Sequence, residues 1–434
     1  MKILYLCGLY AETLVPILRG SIRHGRLQDA ANSYQAAVME GLAENHADFY
    51  VLSFPFLPCY PHNFANMMVP TGPIIYDGQE VGRSVSYSSL LLYKPISIMS
   101  RVKRQVQAWI KANVNDNEPF AVLVYSYEYF FIEPLISLKR RYPSMRIVSI
   151  ITDLSDDAMA FNSNRSFLKH IQMRFVGRRM RNCLKGIDRF VLLTPHMTEL
   201  IPEASGKKIV VEGIYGNSDN ITSDTKLSKT LLYTGTFQEF AGVRLLVDAF
   251  MKTTDPDYRL ILCGSGPCTE YIEACAKVDS RIDLRGRVAR EEAVRLQKSV
   301  TLLINPRIPS GGITKYSFPS KTMEYMSSGT PMIGYRLEGI PEEYFEHMIV
   351  PDDFTEHALA KSIAHWLSLD DDVLEAQGSA AKDFILQSKT AKSQVKKILD
   401  FIDVNIAVRR NFYHKVSCLF ESSSGTLTGS SGLL

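Results

Sequence analysis

Short apolar runs alternate with helix-length amphipathic stretches twice along this 434-residue chain. Because apolar runs of about five residues between helices are typical of buried parallel strands, this alternation predicts α/β structure with doubly wound sheets. A chain of this length also exceeds the usual size of one hydrophobic core. The predicted strands of the first series are 3–7, 49–54, 121–125, 147–151 and 190–194, and those of the second are 231–233, 259–263, 282–284, 301–305 and 331–335.

We therefore expect two doubly wound, Rossmann-like domains facing each other across a cleft, with residues 1–205 in the first and 206–400 in the second. The stretch 55–90 is rich in Pro, Gly, Tyr and Ser, and we expect an elaborated loop region there. Residues 421–434 are of low complexity, which predicts a disordered tail.

The stretch from Tyr316 to Pro331 predicts a short helix with chemically useful groups at its start. Pro319 is acceptable in a first helical turn, and Gly329 with Pro331 supplies a stop. The free N–H groups of a first turn favour phosphate, and Lys321 adds a cation at the same end. Glu324 lies three residues further and can accept hydrogen bonds from a sugar diol. The pattern indicates a nucleotide-sugar site; an amphipathic core helix with solvated Lys and Glu is the alternative.

Composition narrows the class of protein. No apolar run reaches the roughly 18 residues of a membrane-spanning helix, and the apolar start is too short for a signal peptide. The seven cysteines include no Cys-x-x-Cys pair, which argues against a disulfide framework or structural zinc site. We expect a cytoplasmic protein.

Basic residues are concentrated in the segment 165–189, which interleaves them with apolar side chains and contains one acid, Asp188. Such a segment is typical of helices that bind anionic lipid, and it predicts a peripheral position on the inner face of a membrane. A long surface helix with a basic polar face is the alternative. Nucleic acid is not an expected partner, because no recognisable nucleic-acid-binding module accompanies the charge.

In its second half the chain resembles the family-4 retaining glycosyltransferases of the GT-B fold, in the branch found in bacterial capsule and exopolysaccharide gene clusters. The resemblance covers roughly residues 205–400 well and the first half only in outline. The motifs that carry it are Tyr233-Thr234-Gly235-Thr236, Gly264-Ser265-Gly266-Pro267, Gly286-Arg287-Val288, Asn305-Pro306-Arg307 and the stretch from Phe318 to Pro331. In such enzymes a final helix crosses back to the first domain, which implies that role for residues 401–420.

The resemblance implies a donor site for a nucleoside-diphosphate sugar. Glu324 matches the ribose-binding glutamate, Arg287 and Val288 the turn that holds the base, and Gly235 and Thr236 the loop near the diphosphate. The donor-binding residues implied in this way are Gly8, Gly235, Thr236, Gly264, Arg287, Val288, Arg307, Tyr316, Ser320, Lys321 and Glu324.

The chain departs from this family where relatives often carry charge. Tyr316 stands eight positions before the ribose glutamate, where many members have a second glutamate. Thr236 and Ala241 occupy positions that are often basic. We therefore expect Lys321 and Arg307 to meet the charge of the diphosphate.

The acceptor side depends on residues that follow strands of the first series. Asp153 leaves a strong strand at the expected cleft, where it can orient or deprotonate an acceptor hydroxyl or cap the next helix. By the same logic we expect Tyr125, Tyr127 and Glu128, at the end of the strand 121–125, to line the acceptor pocket. His196, after the strand 190–194, is a further candidate, with a structural role as the alternative. The predicted catalytic residues are Asp153, Lys321 and Glu324.

The resulting hypothesis is transfer of a sugar from a nucleoside-diphosphate donor to a lipid-linked glycan acceptor in surface polysaccharide synthesis. The resemblance implies retention of anomeric configuration without a metal or other cofactor. A non-catalytic GT-B subunit that activates a partner transferase is the alternative, motivated by the missing charges. An NAD-dependent oxidoreductase is disfavoured, because no Gly-x-Gly-x-x-Gly follows the first strand.

Overall fold

The computed structural model describes residues 1–25, 27–152, 167–216, 226–309 and 314–403, with side chains of 167–175 excepted. The predicted catalytic Asp153, the tail 421–434 and most of the segment 401–420 lie outside these residues.

The first domain contains an eight-stranded sheet in the order β3-β4-β2-β1-β5-β6-β7-β8. Its pairings are parallel except for the β3–β4 hairpin at one edge. Its strands are β1 (Lys2–Cys7), β2 (Asp48–Ser53), β3 (Gly72–Tyr76), β4 (Gln79–Ser84), β5 (Phe120–Val124), β6 (Met145–Ile151), β7 (Arg189–Leu192) and β8 (Lys208–Val210). Its helices are α1 (Val15–Ser21), α2 (Asp29–Glu44), α3 (Lys94–Asn113), α4 (Tyr129–Lys139) and α5 (Phe167–Lys185).

The second domain contains a five-stranded, fully parallel sheet in the order β11-β10-β9-β12-β13. Its strands are β9 (Leu227–Thr236), β10 (Arg259–Ser265), β11 (Ile282–Gly286), β12 (Val300–Asn305) and β13 (Met332–Gly334). Its helices are α6 (Val243–Met251), α7 (Thr269–Val278), α8 (Arg290–Ser299), α9 (Ser320–Ser327), α10 (Glu356–Leu367) and α11 (Asp371–Ser388).

The central strands of both sheets are apolar because helices cover both faces. Every residue of β5 is buried, as is the apolar core of β9 from Leu231 to Tyr233. This burial explains why the strands read as continuous apolar runs rather than alternating ones. The predicted fold, two doubly wound α/β domains, is confirmed.

The chain returns to the first domain after α11. A helix over residues 391–403, here named α12, packs against α2. The Asn45 side chain at the end of α2 donates to the Lys392 carbonyl over 2.9 Å, and the Arg189 guanidinium lies 5.1 Å from the centre of the Phe401 ring. The crossing therefore begins before residue 401.

Two local expectations differ from the structure. The stretch 55–90 contains β3 and β4, joined at Asp77-Gly78, where both residues have positive φ. An Asp-Gly pair between strands is a hairpin signal, so the expectation of a loop region there was incomplete. The first sheet also continues through β8 to residue 210, past the predicted boundary at residue 205.

Candidate functional site in the interdomain cleft

Three cavities meet at the carboxyl ends of the two sheets. We name them the second-domain cavity, of about 420 Å³, the first-domain cavity, of about 310 Å³, and the interdomain cavity, of about 620 Å³. Thr152, at the end of β6, lines all three. Ligands of doubly wound sheets bind at this edge, so the three cavities form the candidate site.

The second-domain cavity gathers several of the predicted donor residues. It lies between the end of β9, the segment after β12 and the start of α9. The predicted residues that line it are Thr236, Arg307, Tyr316, Ser320 and Lys321. These residues are far apart in sequence, and the fold brings them together at one cavity.

Helix α9 is attached to the end of β9 by Tyr325. Its buried hydroxyl accepts a hydrogen bond from the Thr234 backbone N–H over 2.9 Å and lies 3.1 Å from the Thr234 carbonyl oxygen. Lys321 Nζ donates to Thr234 Oγ1 over 3.3 Å. A Cβ at Gly235 would lie 3.1 Å from Lys321 Cε and 2.6 Å from the Tyr233 hydroxyl. Glycine at 235 therefore allows Lys321 to approach the strand end.

The start of α9 differs by one residue from the expectation. Ser320 is the first helical residue, and Pro319 precedes it in an extended conformation, with φ −74° and ψ 104°. Proline fits this cap position because it has no N–H to leave unpaired. The first-turn N–H groups of α9 remain at the cavity, since Ser320 and Lys321 line it.

Arg307 is half-buried beside the same cavity. Its Nη2 lies 3.4 Å from Ser317 Oγ and its guanidinium 5.8 Å from the centre of the Phe240 ring, while its Nε has no hydrogen-bond partner among the described residues. Burial lowers the pKa of Arg307 below its ordinary value. Within the described ranges, no carboxylate lies at ion-pair distance from Arg307 or Lys321. The two cations are therefore available to an anion in this cavity.

Glu324 faces the interdomain cavity rather than the second-domain cavity. It is exposed, and its Oε1 accepts a hydrogen bond from Gln297 Nε2 of α8 over 2.6 Å. Ser320 lines both cavities, so the two are neighbours around the start of α9. Lys321 and Glu324 thus lie on two sides of one helix end.

Other predicted donor residues line none of the three cavities. A Cβ at Gly264 would fall 1.8 Å from the Gly235 carbonyl oxygen, so glycine there allows β9 and β10 to approach. Arg287 Nε donates to Ser265 Oγ over 2.6 Å, and Val288 packs against the core. Gly8 is covered by the Phe56 ring, and its N–H donates to Gln35 Oε1 over 2.5 Å.

Tyr316 connects the two domains. Its hydroxyl donates to Glu199 Oε2 over 3.0 Å, and Lys315 Nζ lies 2.9 Å from Glu199 Oε1. The hydrogen bond from Lys315 is the main cause of the lowered pKa of Glu199. His196 Nδ1 lies 3.4 Å from the same carboxylate. In the family that the sequence resembles, the position of Tyr316 often carries a second glutamate. Here the tyrosine side chain makes a contact between the two domains.

The first-domain cavity is lined by Tyr125, Tyr127 and Glu128, as the strand ends indicated. Thr152 Oγ1 donates to the Tyr125 hydroxyl over 2.9 Å. Most other lining side chains are apolar: Phe54, Phe56, Leu57, Tyr87, Ile98, Phe130, Phe131, Ile150 and Ile151. This cavity favours a ligand with an apolar part.

Sequence reasoning assigned no role in the site to Gln297, Tyr325, Thr152 and Asn305. Tyr325 hydrogen-bonds with Thr234 at the end of β9, Gln297 donates to Glu324, and Thr152 lines all three cavities. Asn305, the last residue of β12, lines the second-domain cavity, and its place in the Asn305-Pro306-Arg307 motif at a strand end was the signal that marked it.

The basic helix α5 uses apolar side chains for packing. Met180 and Leu184 are buried, and Arg179 is paired with Glu133 of α4. Arg178 and Arg181 are exposed. In its described part this helix therefore exposes basic side chains to solvent, while its apolar side chains are buried against the first domain. None of the helices in the described part of the chain is both long and apolar enough to cross a membrane.

Residues 228–368 match the protein family described as "Glycosyl transferases group 1". A search of curated protein sequences gave no match. The matched region contains β9 to β13 and α6 to α10, and therefore most of the second-domain cavity.

Solved structures of similar fold cover nearly the whole chain. The Anabaena protein HepE in complex with UDP is 11% identical over 93% of this chain and 100% of its own, with a TM-score of 0.55. The starch synthase IV catalytic domain from Arabidopsis thaliana, bound to ADP and acarbose, is 10% identical over 92% and 98%, with a TM-score of 0.58. The apo lipopolysaccharide outer core galactosyltransferase WaaB is 14% identical over 93% and 99%, with a TM-score of 0.52. These likenesses show a GT-B fold.

Proposed function

We propose that this chain is a glycosyltransferase that moves a sugar from a nucleoside-diphosphate donor to a glycan acceptor. The observation that carries the proposal is the pair of cations, Arg307 and Lys321, that face one cavity at the start of α9 without a carboxylate partner in the described part of the chain. The match of residues 228–368 to glycosyltransferases supports the same reading.

The donor diphosphate would occupy the second-domain cavity. The first-turn N–H groups of α9 and the positive end of its dipole favour phosphate oxygens, and Lys321 and Arg307 add two full charges. Arg307 Nε is a buried donor without a described partner, so a phosphate oxygen would satisfy it. The helix N–H groups and the two cations together match the two negative charges of the bound diphosphate and the further charge that develops as it leaves.

Glu324 would accept hydrogen bonds from the ribose diol in the neighbouring interdomain cavity. Gln297 donates to one of its oxygens, which leaves the second oxygen and further lone pairs for the ligand. The same hydrogen bond restricts the rotamer of Glu324, so less conformational entropy is lost on binding.

Bond cleavage at the sugar would leave negative charge on the diphosphate. Donors that are already in place stabilise that charge without reorganisation, and removal of one such donor commonly lowers the rate about 100- to 1000-fold. The remaining task of the protein is to hold acceptor and donor in reacting geometry. We propose transfer with retention and without a metal, as the resemblance implies.

The acceptor would approach from the first-domain cavity, which meets the donor cavities at Thr152. Its aromatic lining suits an acceptor with an apolar part, and we propose a lipid-linked glycan of a surface polysaccharide. WaaB, one of the similar structures, is a lipopolysaccharide galactosyltransferase. We propose that the enzyme works in the cytoplasm at the inner face of the membrane.

A thermal-shift panel with UDP-, GDP-, CMP- and dTDP-sugars tests the donor class, because a ligand bound to the folded state raises the melting temperature by mass action. We expect one nucleotide to give a shift and slow hydrolysis of its sugar by the purified chain. No shift with any of the donors would contradict the proposal. Binding without hydrolysis or transfer to any glycan would instead support the non-catalytic GT-B subunit.

A further inference from the structure

Seven large apolar side chains are exposed together at one end of the first domain. We call them the apolar tip: Met67, Met68, Leu90, Leu91, Leu92, Tyr93 and Ile96. Leu92 is 86% exposed and Leu91 65%, which is unusual for adjacent leucines in a folded domain. Clustered exposed apolar side chains mark interaction sites, whereas isolated ones need no explanation.

The apolar tip is held in place by backbone hydrogen bonds. The Ser89 N–H donates to the Met67 carbonyl over 2.8 Å, which joins the two segments. The Tyr93 and Lys94 N–H groups both donate to the Leu90 carbonyl, over 3.0 and 2.7 Å, which closes the turn into α3. The leucines are therefore presented by an ordered turn.

Along the chain, the segments that carry the tip contain basic but no acidic residues. Residues 54–76 contain no Asp, Glu, Lys or Arg, and residues 83–115 contain no Asp or Glu. The basic residues of this second stretch are Arg83, Lys94, Arg101, Lys103, Arg104 and Lys111. Lys103, Arg104 and Lys111 are exposed on α3, and Ser97, Ile98, Val102, Val106, Trp109 and Ile110 form its buried face.

Helix α5 brings two further exposed cations close to α3, whereas the charge of its Arg179 is compensated by Glu133 of α4. Arg179 Nη2 lies 3.9 Å from Met99 Sδ of α3, so the basic end of α5 is next to α3. Arg178 and Arg181 are exposed there. Apolar side chains at an ordered turn suit the acyl region of a bilayer, and the exposed cations on the two neighbouring helices suit its anionic headgroups.

We propose that the protein docks on an anionic lipid bilayer through the apolar tip, with the exposed basic residues of α3 and α5 on the lipid headgroups. A second copy of the chain is a poorer occupant, because a twofold interface places each patch against itself and so brings like charges together. The apolar contact is therefore assigned to the tip, since the apolar side chains of α5 at Met180 and Leu184 are used inside the domain.

Docking in this way would place the first-domain cavity at the membrane. Lys94 and Ile98 line that cavity, and the exposed Ile96 lies between them on α3. Two residues along a helix correspond to about 3 Å of rise and about 200° of rotation, so Ile96 lies at the height of the cavity wall but on the opposite side of α3, about 10 Å away. This consequence rests on the proposed function, since it explains how a lipid-linked acceptor reaches the cavity.

The test is co-sedimentation of the full chain with phosphatidylcholine vesicles, with and without phosphatidylserine. We expect binding that requires phosphatidylserine and weakens with salt. The variant Leu91→Ser/Leu92→Ser should bind at least about a hundredfold more weakly, since each of the two buried leucines contributes more than one tenfold step. Lys103→Glu/Arg104→Glu should weaken it as well. Val278→Ser, at a side chain that is 79% exposed in the second domain, is the matched control and should bind as the wild type does.

Three outcomes would overturn the proposal: no binding of the wild type, unchanged binding of Leu91→Ser/Leu92→Ser, or loss of self-association in that variant by analytical ultracentrifugation. Donor binding in solution should be the same in this variant as in the wild type. A wild-type chain that binds vesicles but no nucleotide sugar would remove the proposed function and leave membrane docking in place.

Discussion

Lys389 donates a hydrogen bond of 2.5 Å to Glu212, and the two side chains are 2% and 5% exposed. Glu212 follows the first sheet, and Lys389 lies between α11 and α12, where the chain returns to the first domain. The Tyr344 hydroxyl donates to the same Glu212 oxygen over 2.9 Å. The pair therefore links the two crossings between the domains in a dry environment.

Removing one partner of the Lys389–Glu212 ion pair should lower the free energy of unfolding. Lys389→Met leaves Glu212 as a buried charge without its cation, and we expect a loss of about 3–5 kcal/mol in the free energy of unfolding. Glu212→Gln/Lys389→Met removes both buried charges and leaves only the solvent-exposed carboxylate of Glu343, the second partner of Lys389, so it should lose clearly less. Urea unfolding followed by the fluorescence of Trp109 and Trp366, one in each domain, measures both.

The control is Lys396→Met, which removes an exposed ion pair with Asp400 and should cost about 0.5 kcal/mol or less. If Lys389→Met cost no more than Lys396→Met, the buried pair would not link the domains. Two separate transitions in the tryptophan fluorescence would show that the two domains unfold in steps. Each free energy of unfolding is then assigned to the domain that unfolds in that transition.

The packing of α12 on the first domain depends on Gly41 of α2. A Cβ there would lie 2.3 Å from the Ala391 carbonyl oxygen and 2.5 Å from Val395 Cγ2. We expect Gly41→Ala to destabilise the protein by about 1–3 kcal/mol, because overpacking forces α12 away. Gly20→Ala, in helix α1 with nothing within 4 Å of its Cβ, should instead stabilise by about 0.5–1 kcal/mol. Equal effects in chemical denaturation would contradict this interpretation.

The fold could be predicted from the sequence because its strongest signals are local. Buried parallel strands such as β5 are apolar at every position, so each of them is visible without its neighbours. The hairpin β3–β4 escaped notice, because β3 has one buried residue, Ile74, and little alternation. The Asp77-Gly78 turn was the available signal and was overlooked.

The candidate site was predicted less completely, because its geometry depends on pairings across the fold. The positions of Lys321 and Glu324 at a helix start could be read locally. That Gln297 holds Glu324, or that Tyr316 contacts Glu199 of the other domain, requires the packing of separate elements. Neither residue type nor spacing indicates such partners, and Asp153 stays a prediction outside the described residues.

The role of Glu324 in donor binding can be tested with a matched glutamate. Glu324→Ala should raise the donor dissociation constant at least about tenfold, because a hydrogen bond to a charged group is worth about 1.5–3 kcal/mol. Glu375→Ala, at an exposed position on α11, should leave it unchanged. Calorimetry with the donor identified by thermal shift measures both. An unchanged affinity in Glu324→Ala would remove the diol acceptor from the proposal.

Gln297 should act through Glu324 rather than on the donor itself. Gln297→Ala removes the 2.6 Å hydrogen bond and frees the carboxylate to rotate, so we expect weaker binding than in the wild type but stronger than in Glu324→Ala. In the double variant the loss should equal that of Glu324→Ala alone, because the positioning group then has nothing to hold. Additive losses would show that Gln297 contacts the donor independently.

Lys321 and Arg307 should contribute mainly to the chemical step. Lys321→Met keeps most of the side-chain volume and removes the charge, so we expect kcat to fall about 100- to 1000-fold. Arg307→Lys keeps the charge but loses the planar set of donors, and it should give a smaller fall. Lys277→Met, at an exposed position on α7, should retain wild-type kcat. Inorganic diphosphate should inhibit the wild type and Lys277→Met alike and inhibit Lys321→Met more weakly; equal inhibition of all three would place the leaving group elsewhere.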